Sequence, residues 1–149
     1  MLPSLAAANF AVGIGGFVTV GVLTPMGEAF GISAAEAGLV MTIYAVAYAI
    51  GSPLAVAATG GIARKNVLSL GLTLFGLGSA ATALAPTIEV LWIARIITAV
   101  GAGLITPVAA GVAAASSTDE TRGKAMASVF LGITLAQVVG VPSGAWLGY

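Results

Sequence analysis

The sequence contains no cysteine and no histidine, and it has few charged residues. These absences exclude disulfides, thiolate chemistry, imidazole metal ligands and the most common general base. Only five basic and five acidic residues occur among 149, and the net charge is zero. Without a basic run the chain offers no electrostatic footprint for DNA or RNA, so we expect no nucleic-acid partner. It also lacks a nucleophile paired with a base and a phosphate-binding loop, so we expect neither an enzyme nor a cofactor or metal.

The scarcity of charge indicates that lipid is the solvent for most of the surface. Hydrophobic residues make up 59% of the chain and charged residues 7%, with a mean hydropathy of +1.12. A soluble domain carries about a quarter charged residues. The apolar runs do not alternate with polar residues, as the strands of a membrane β-barrel would. Because a backbone in lipid must satisfy its own hydrogen bonds, the composition predicts an all-α membrane protein.

Five apolar stretches are close to the roughly 20 residues that a helix needs to cross the hydrocarbon core. Local signals support their ends, because Ser33 and Glu36 form a capping-box pattern and Ala85-Pro86-Thr87 predicts a tight break. The first stretch could instead be a cleaved signal peptide, but it lacks a basic n-region and is too long. We therefore predict one transmembrane unit over residues 1–149, with spans at about 5–25, 37–59, 66–85, 88–114 and 123–149.

The loop charges predict the orientation. Arg64 and Lys65 lie between spans two and three, and Arg122 and Lys124 lie between spans four and five. The other loops carry only glutamates, so the positive-inside rule predicts a cytoplasmic N-terminus. We expect a multi-pass protein of the plasma or inner membrane. Tyr149 ends an apolar run without a polar tail, which favours a chain that has been cut short.

Span five carries a regular pattern of small residues. They recur every four positions, so they form one groove that another helix can approach closely; the residues are Gly132, Ala136, Gly140, Gly144 and Gly148. Pro142 removes a backbone hydrogen bond within this span and predicts a bend. Two interpretations stay open, plain helix packing and a hinge. Loss of function in Gly144→Leu is expected under both, whereas only a hinge predicts that Pro142→Ala changes the balance of conformations.

Arg95 is the only formal charge well inside a span, six residues or about 9 Å beyond Glu89. Its side chain could reach the membrane interface, and Trp92 one turn earlier suits an interfacial belt. However, a charge at such depth costs roughly 2.5 to 3.5 kcal/mol and usually faces a bundle interior or a water-filled cavity. We favour the role facing a cavity.

Two further polar pairs lie within spans. Tyr44 and Tyr48 share one face of span two, and Tyr48 falls near the midplane, where a phenol needs a hydrogen-bond partner or water. Thr134 and Gln137 form a similar patch in span five. Hydrogen bonding between helices and contact with a ligand both explain these pairs.

Several segments together resemble the major facilitator superfamily, and most closely its drug and sugar efflux branch of proton antiporters. In span four, Arg95 followed by Gly101-Ala102-Gly103 looks like a motif of that family. The similar segments, which run in the family's order over essentially the whole chain, are residues 10–33, Gly51-Ser52-Pro53-Leu54, Arg64-Lys65-Asn66-Val67-Leu68, the Arg95 motif with Pro107, and the antiporter-like Gly140-Val141-Pro142-Ser143-Gly144.

The chain also departs from the family pattern. In the signature loop between spans two and three, the usual Gly, Asp and Gly are Val56, Gly60 and Ala63, and only Arg64 and Lys65 match. The charge latch that the family builds on this aspartate is therefore missing. Related efflux proteins often carry an acidic residue where this chain has Gly16, and no carboxylate lies inside a predicted span. A proton-coupling acid must therefore lie in other helices, or coupling is absent.

The resemblance implies the N-terminal part of a twelve-helix fold that transports a small molecule by alternating access, as proton-coupled efflux. Its partners would be the substrate, protons, the lipid bilayer and the C-terminal helices of the same transporter. The implied substrate path contains Arg95, Tyr44, Tyr48 and Gln137. Residues assigned to conformational change or helix packing are Gly132, Gly140, Pro142, Gly144, Arg64 and Lys65. A scaffold or assembly protein of five helices that does not transport is the alternative.

Overall fold

The computed structural model describes residues 1–148, which form six helices and no strand. Five of the helices are long and apolar enough to cross a membrane, which confirms the predicted all-α fold with five spans. The helices are α1 (Leu2–Gly21), α2 (Leu23–Phe30), α3 (Ala34–Ala58), α4 (Arg64–Ala83), α5 (Ile88–Ala115) and α6 (Arg122–Gly148).

The first predicted stretch, 5–25, is divided between two helices. α1 ends at Gly21, and the short α2 begins at Leu23 after a turn at Val22. Pro25 is the third residue of α2, in the first turn, where a missing N–H breaks no helical hydrogen bond. α2 ends at Gly31, which adopts the left-handed conformation (φ 64°). Glycine reaches this conformation without a Cβ clash, so it ends the helix cleanly.

The capping chemistry read from the sequence is present at the start of α3. The Ser33 hydroxyl accepts from the Glu36 backbone N–H at 3.3 Å. In return the Glu36 carboxylate accepts from the Ser33 backbone N–H at 2.8 Å. This reciprocal pair satisfies donors that the first turn of a helix would otherwise leave free. The break before α5 lies at Ala85–Thr87, as predicted.

α5 lies at the centre of the bundle. It packs against α1, α3, α4 and α6. In its most hydrophobic segment of 18 residues, 61% of the residues are buried inside the protein. Small residues at Gly101, Ala102 and Gly103 allow this, because α4 and α3 backbone atoms approach Gly101 and Gly103 closely. The other extensive contact joins α1 to α6. The fold is therefore a bundle in which α5 contacts each of the other four long helices, while α1 and α6 also pair with each other.

Candidate functional site: a cavity between four helices

The candidate site is a cavity of about 360 Å³, a size within the range of small-molecule sites. It is formed by α1, α3, α5 and α6, and no residue of α4 lines it. The lining residues are Val12, Gly13, Gly16, Phe17, Met41, Tyr44, Ala45, Tyr48, Thr106 and Ile133. Most of them are apolar, so the cavity suits the apolar part of a ligand and fixes its orientation through few polar groups.

Tyr44 and Tyr48 supply most of the polarity of this cavity. They lie one turn apart on α3, so both rings face the same side. The ring centroids are 6.3 Å apart and the planes differ by 22°, an offset arrangement that aromatic pairs favour. Both rings are half-buried. The structure thus places the two tyrosines together on one wall, with Thr106 of α5 as another polar residue of the lining.

Arg95 lies inside the bundle, directly behind Tyr44. Its side chain is only 1% exposed, and its guanidinium carbon is 4.4 Å from the centroid of the Tyr44 ring. One guanidinium nitrogen, Nη1, donates to the Thr19 hydroxyl at 3.2 Å and to the Gly15 carbonyl at 3.4 Å, both on α1. The side chain therefore reaches across to α1. It touches the tyrosine wall without lining the cavity itself.

Gln137 lies apart from these three residues. Its side chain is exposed on α6 and is not among the residues that line the cavity. Thr134, one turn earlier, is also exposed and donates to the Phe130 carbonyl of its own helix at 3.3 Å. In residues 1–148, then, Arg95, Tyr44 and Tyr48 come together and Gln137 does not join them.

The small residues of α6 face α1. Gly132, Gly140 and Gly144 are buried, and a Cβ atom added at any of them would collide with α1. At Gly140 this atom would lie 2.9 Å from the Phe17 Cβ, and at Gly132 it would lie 3.0 Å from the Phe10 backbone nitrogen. Only glycine therefore permits this helix separation. Pro142 lies within the continuous α6 and is exposed.

Arg64 and Lys65 form the first turn of α4 and are exposed. Neither forms a salt bridge with another described residue, since the ion pair found in residues 1–148 joins Arg122 and Asp119 at 2.9 Å. No group of three or more potential metal-ligating side chains occurs in the part of the chain that the structure describes.

Sequence reasoning missed the contacts of three polar residues that the bundle buries fully or in part. Asn9 is fully buried on α1, where its amide nitrogen donates to the Leu5 carbonyl at 3.4 Å. The Ser52 hydroxyl of α3 donates to the Gly103 carbonyl of α5 at 2.9 Å. Thr19 is the partner of Arg95. A lone polar residue in an apolar span is a signal that such contacts exist, but the sequence alone does not identify the partner.

Comparison with known proteins identifies the family. A family model described as Major Facilitator Superfamily matches residues 5–149. Among similar proteins, the uncharacterized MFS-type transporter YbcL of Bacillus subtilis is 33% identical over 94% of this chain and 36% of its own length. The inner membrane transport protein YdhP of Escherichia coli is 32% identical over 99% of this chain and 38% of its own length. A probable sugar efflux transporter of Haemophilus influenzae is 28% identical over 93% and 35%.

The relatives are longer than this chain, which spans about a third of the length of the curated relatives it matches. The family match covers nearly every residue, and the five apolar helices occur in the order that the resemblance implied. This multi-pass membrane chain belongs to the major facilitator superfamily of transporters.

Proposed function

We propose that the chain forms the N-terminal part of a secondary transporter that moves a small molecule out of the cell by alternating access. The observation that carries this proposal is the cavity of about 360 Å³ bounded by α1, α3, α5 and α6. Transporters of this type hold substrate near the midplane, between two halves that rock against each other. A lining drawn from four helices gives one wall of such a site.

We assign the substrate wall to Tyr44 and Tyr48, with Arg95 acting through Tyr44. The guanidinium lies against the Tyr44 ring, so the charge fixes the ring by a cation–π contact. Gln137, which is exposed on α6, belongs to the substrate path only if helices outside the described residues bring substrate to it. The apolar lining favours ligands with a substantial apolar surface.

Proton coupling is part of the proposal, but its acid lies elsewhere. Glu36 and Glu89 lie in the first turns of α3 and α5, and Glu28 lies in the short α2. Beyond the first turn, none of the five described helices long enough to cross a membrane carries a carboxylate. The resemblance to efflux antiporters and the similarity to the probable sugar efflux transporter of Haemophilus influenzae support the outward direction of transport. We place the protonated group in helices beyond those described.

The orientation follows from the loop charges. Arg64, Lys65, Arg122 and Lys124 all lie at one end of the bundle, whereas Glu28, Glu36 and Glu89 lie at the other. We therefore propose a plasma or inner membrane protein with the N-terminus in the cytoplasm. Labelling with an amine reagent that cannot permeate cells tests this, because Lys65 and Lys124 should react only after the membrane is opened. Labelling of either lysine in intact cells contradicts the orientation.

The transport proposal is tested on the complete gene product. Cells that lack their own exporters would express it, and export of a panel of fluorescent apolar compounds would be measured. Tyr44→Ala or Tyr48→Ala removes an aromatic wall worth roughly 1.5–3 kcal/mol of burial, so apparent affinity should fall about tenfold or more. Phe130→Ala is the matched control, since this aromatic residue is exposed on α6 and does not line the cavity.

Four results bear on the assignment. Normal transport by Arg95→Ala would remove Arg95 from the substrate path. Equal losses in Tyr44→Ala and Phe130→Ala would show that the cavity is not the site. The 149-residue chain alone, reconstituted in liposomes, is expected not to transport, because rocking needs a second half. A gene that ends at Tyr149 would favour the scaffold alternative instead.

A further inference from the structure

A second cavity, of about 320 Å³, lies between α1, α2, α4 and α5. It is located toward the end of the bundle that is opposite Arg64 and Lys65, and none of its lining residues lines the first cavity. It is the more polar of the two cavities, because hydroxyl groups and a guanidinium contribute to its wall. The lining residues are Ile14, Gly15, Val18, Thr19, Val22, Met26, Ser79, Thr82, Ala83 and Arg95.

The hydrogen bonds of Arg95 leave one edge of its guanidinium free. Nη1 donates to Thr19 and Gly15, and the face of the group packs on the Tyr44 ring. Nε and Nη2 are buried and have no hydrogen-bond partner among the described residues. These two atoms are adjacent on the planar guanidinium, and their parallel N–H groups form the fork that binds a carboxylate with both oxygens.

A second unpartnered donor lines the same cavity. The Ser79 hydroxyl of α4 is buried without a hydrogen-bond partner among the described residues. The neighbouring hydroxyls are already used, because Thr82 donates to the Gly78 carbonyl and Thr19 to the Gly15 carbonyl, each over four residues. Arg95 and Ser79 thus both line the cavity, and Nε, Nη2 and the Ser79 hydroxyl are donors without acceptors among the described residues.

The charge of Arg95 also lacks a counterion. No acidic residue forms a salt bridge with it in residues 1–148. A buried, unpaired charge is costly, and a charge with free donors binds an acceptor strongly. The cation–π contact offsets part of this cost but satisfies no N–H group.

We propose that the second cavity is a binding site for a small carboxylate anion taken from solution. Its two oxygens would accept from Nε and Nη2 of Arg95, and one of them would also accept from the Ser79 hydroxyl. The proposal concerns charge neutralisation inside the bundle and does not depend on transport. It goes beyond the tyrosine-lined substrate cavity, because the two cavities share no lining residue.

The test measures the unfolding midpoint of the purified chain in an uncharged detergent while sodium formate replaces sodium chloride at constant sodium concentration. A ligand that binds only the folded state raises the midpoint as its concentration exceeds the dissociation constant. Formate presents two coplanar oxygens and chloride is a sphere, so formate should stabilise the chain more. Equal stabilisation by the two anions would overturn the two-oxygen geometry.

Matched serine variants locate the effect. Ser79→Ala removes one hydrogen bond to a charged group. The formate concentration that gives half of the stabilisation should therefore rise roughly tenfold. Ser69→Ala on the same helix is the control, because Ser69 is exposed and does not line the cavity. Its titration should superimpose on that of the unaltered chain. Identical titrations for Ser79→Ala and Ser69→Ala would overturn the site.

Arg95→Lys tests the role of the two parallel N–H groups independently of the positive charge. Lysine keeps the positive charge but cannot present two parallel N–H groups, so the advantage of formate over chloride should disappear. If this variant does not fold, the serine pair still decides the question. An acid supplied by a neighbouring copy is also distinguishable: stability would then depend on chain concentration and added formate would lower it, which overturns the proposal.

Discussion

Close approach of α1 and α6 predicts that Gly132→Ala destabilises the bundle, although alanine forms helices better than glycine. A Cβ atom at residue 132 would lie 3.0 Å from the Phe10 backbone nitrogen and would collide with the Ala6 carbonyl oxygen. Both neighbours are backbone atoms of α1, so no side chain can rotate to make room. The two helices would have to separate.

The magnitude follows from a matched pair of glycines. Gly76 lies in the middle of α4, is exposed, and has no heavy atom within 4 Å of an added Cβ. Both substitutions gain similar helix propensity, about 1 kcal/mol. The difference between Gly132→Ala and Gly76→Ala therefore isolates the overpacking cost, which is typically about 1–3 kcal/mol.

The assay is reversible unfolding of the purified chain in mixed micelles, followed by far-UV circular dichroism as the denaturing detergent is increased. Gly76→Ala should leave the free energy of unfolding unchanged or raise it, and Gly132→Ala should lower it. Gly144→Ala should behave like Gly132→Ala, because its added Cβ would collide with the Val18 carbonyl oxygen. If Gly132→Ala and Gly76→Ala have the same effect, the two helices are not in backbone contact.

Three other outcomes are expected. Ser33→Ala should lower the free energy of unfolding by about 1 kcal/mol, measured in the same assay, because it removes the cap of α3. Ser52→Ala should cost about 0.5–1.5 kcal/mol through the lost bond to the Gly103 carbonyl; no change beyond that of the exposed Ser69→Ala would contradict this contact. Pro142→Ala in the complete gene product should preserve assembly and shift the accessibility of introduced cysteines if α6 is a hinge, and unchanged accessibility and transport refute that role.

The spans and their ends could be predicted because their causes are local. Hydropathy over about 20 residues determines which segments enter lipid, and the Ser33–Glu36 cap and the Pro86 break depend on residues within one turn. The first span shows the limit of this reasoning. Its apolar run continues to Pro25, but the backbone turns at Val22. Hydropathy does not predict this turn because the helices on both sides of it are apolar.

The site could be predicted only in part because its geometry depends on partners far apart in the chain. Burial of Arg95 was expected from the cost of a charge in lipid, and its proximity to Tyr44 was proposed. The contact with Thr19 joins residues 76 positions apart, and nothing in either local sequence indicates it. Gln137 was grouped with the tyrosines by polarity and depth, but the helix rotation that buries Ala136 against α1 turns the next side chain outward.

Residues 13–16 of α1 connect helix packing, buried charge and cavity. Gly13 faces Ala136 of α6, the Gly15 carbonyl accepts from Arg95, and Gly16 lines the tyrosine cavity. Successive positions on a helix point about 100° apart, so one turn of α1 reaches α6, Arg95 and the tyrosine cavity together. A shift of α1 along α6 would move the acceptor of Arg95 and one wall of the cavity together. Ligands in the two cavities are therefore expected to influence each other through this turn, which gives its three glycines a reason beyond packing.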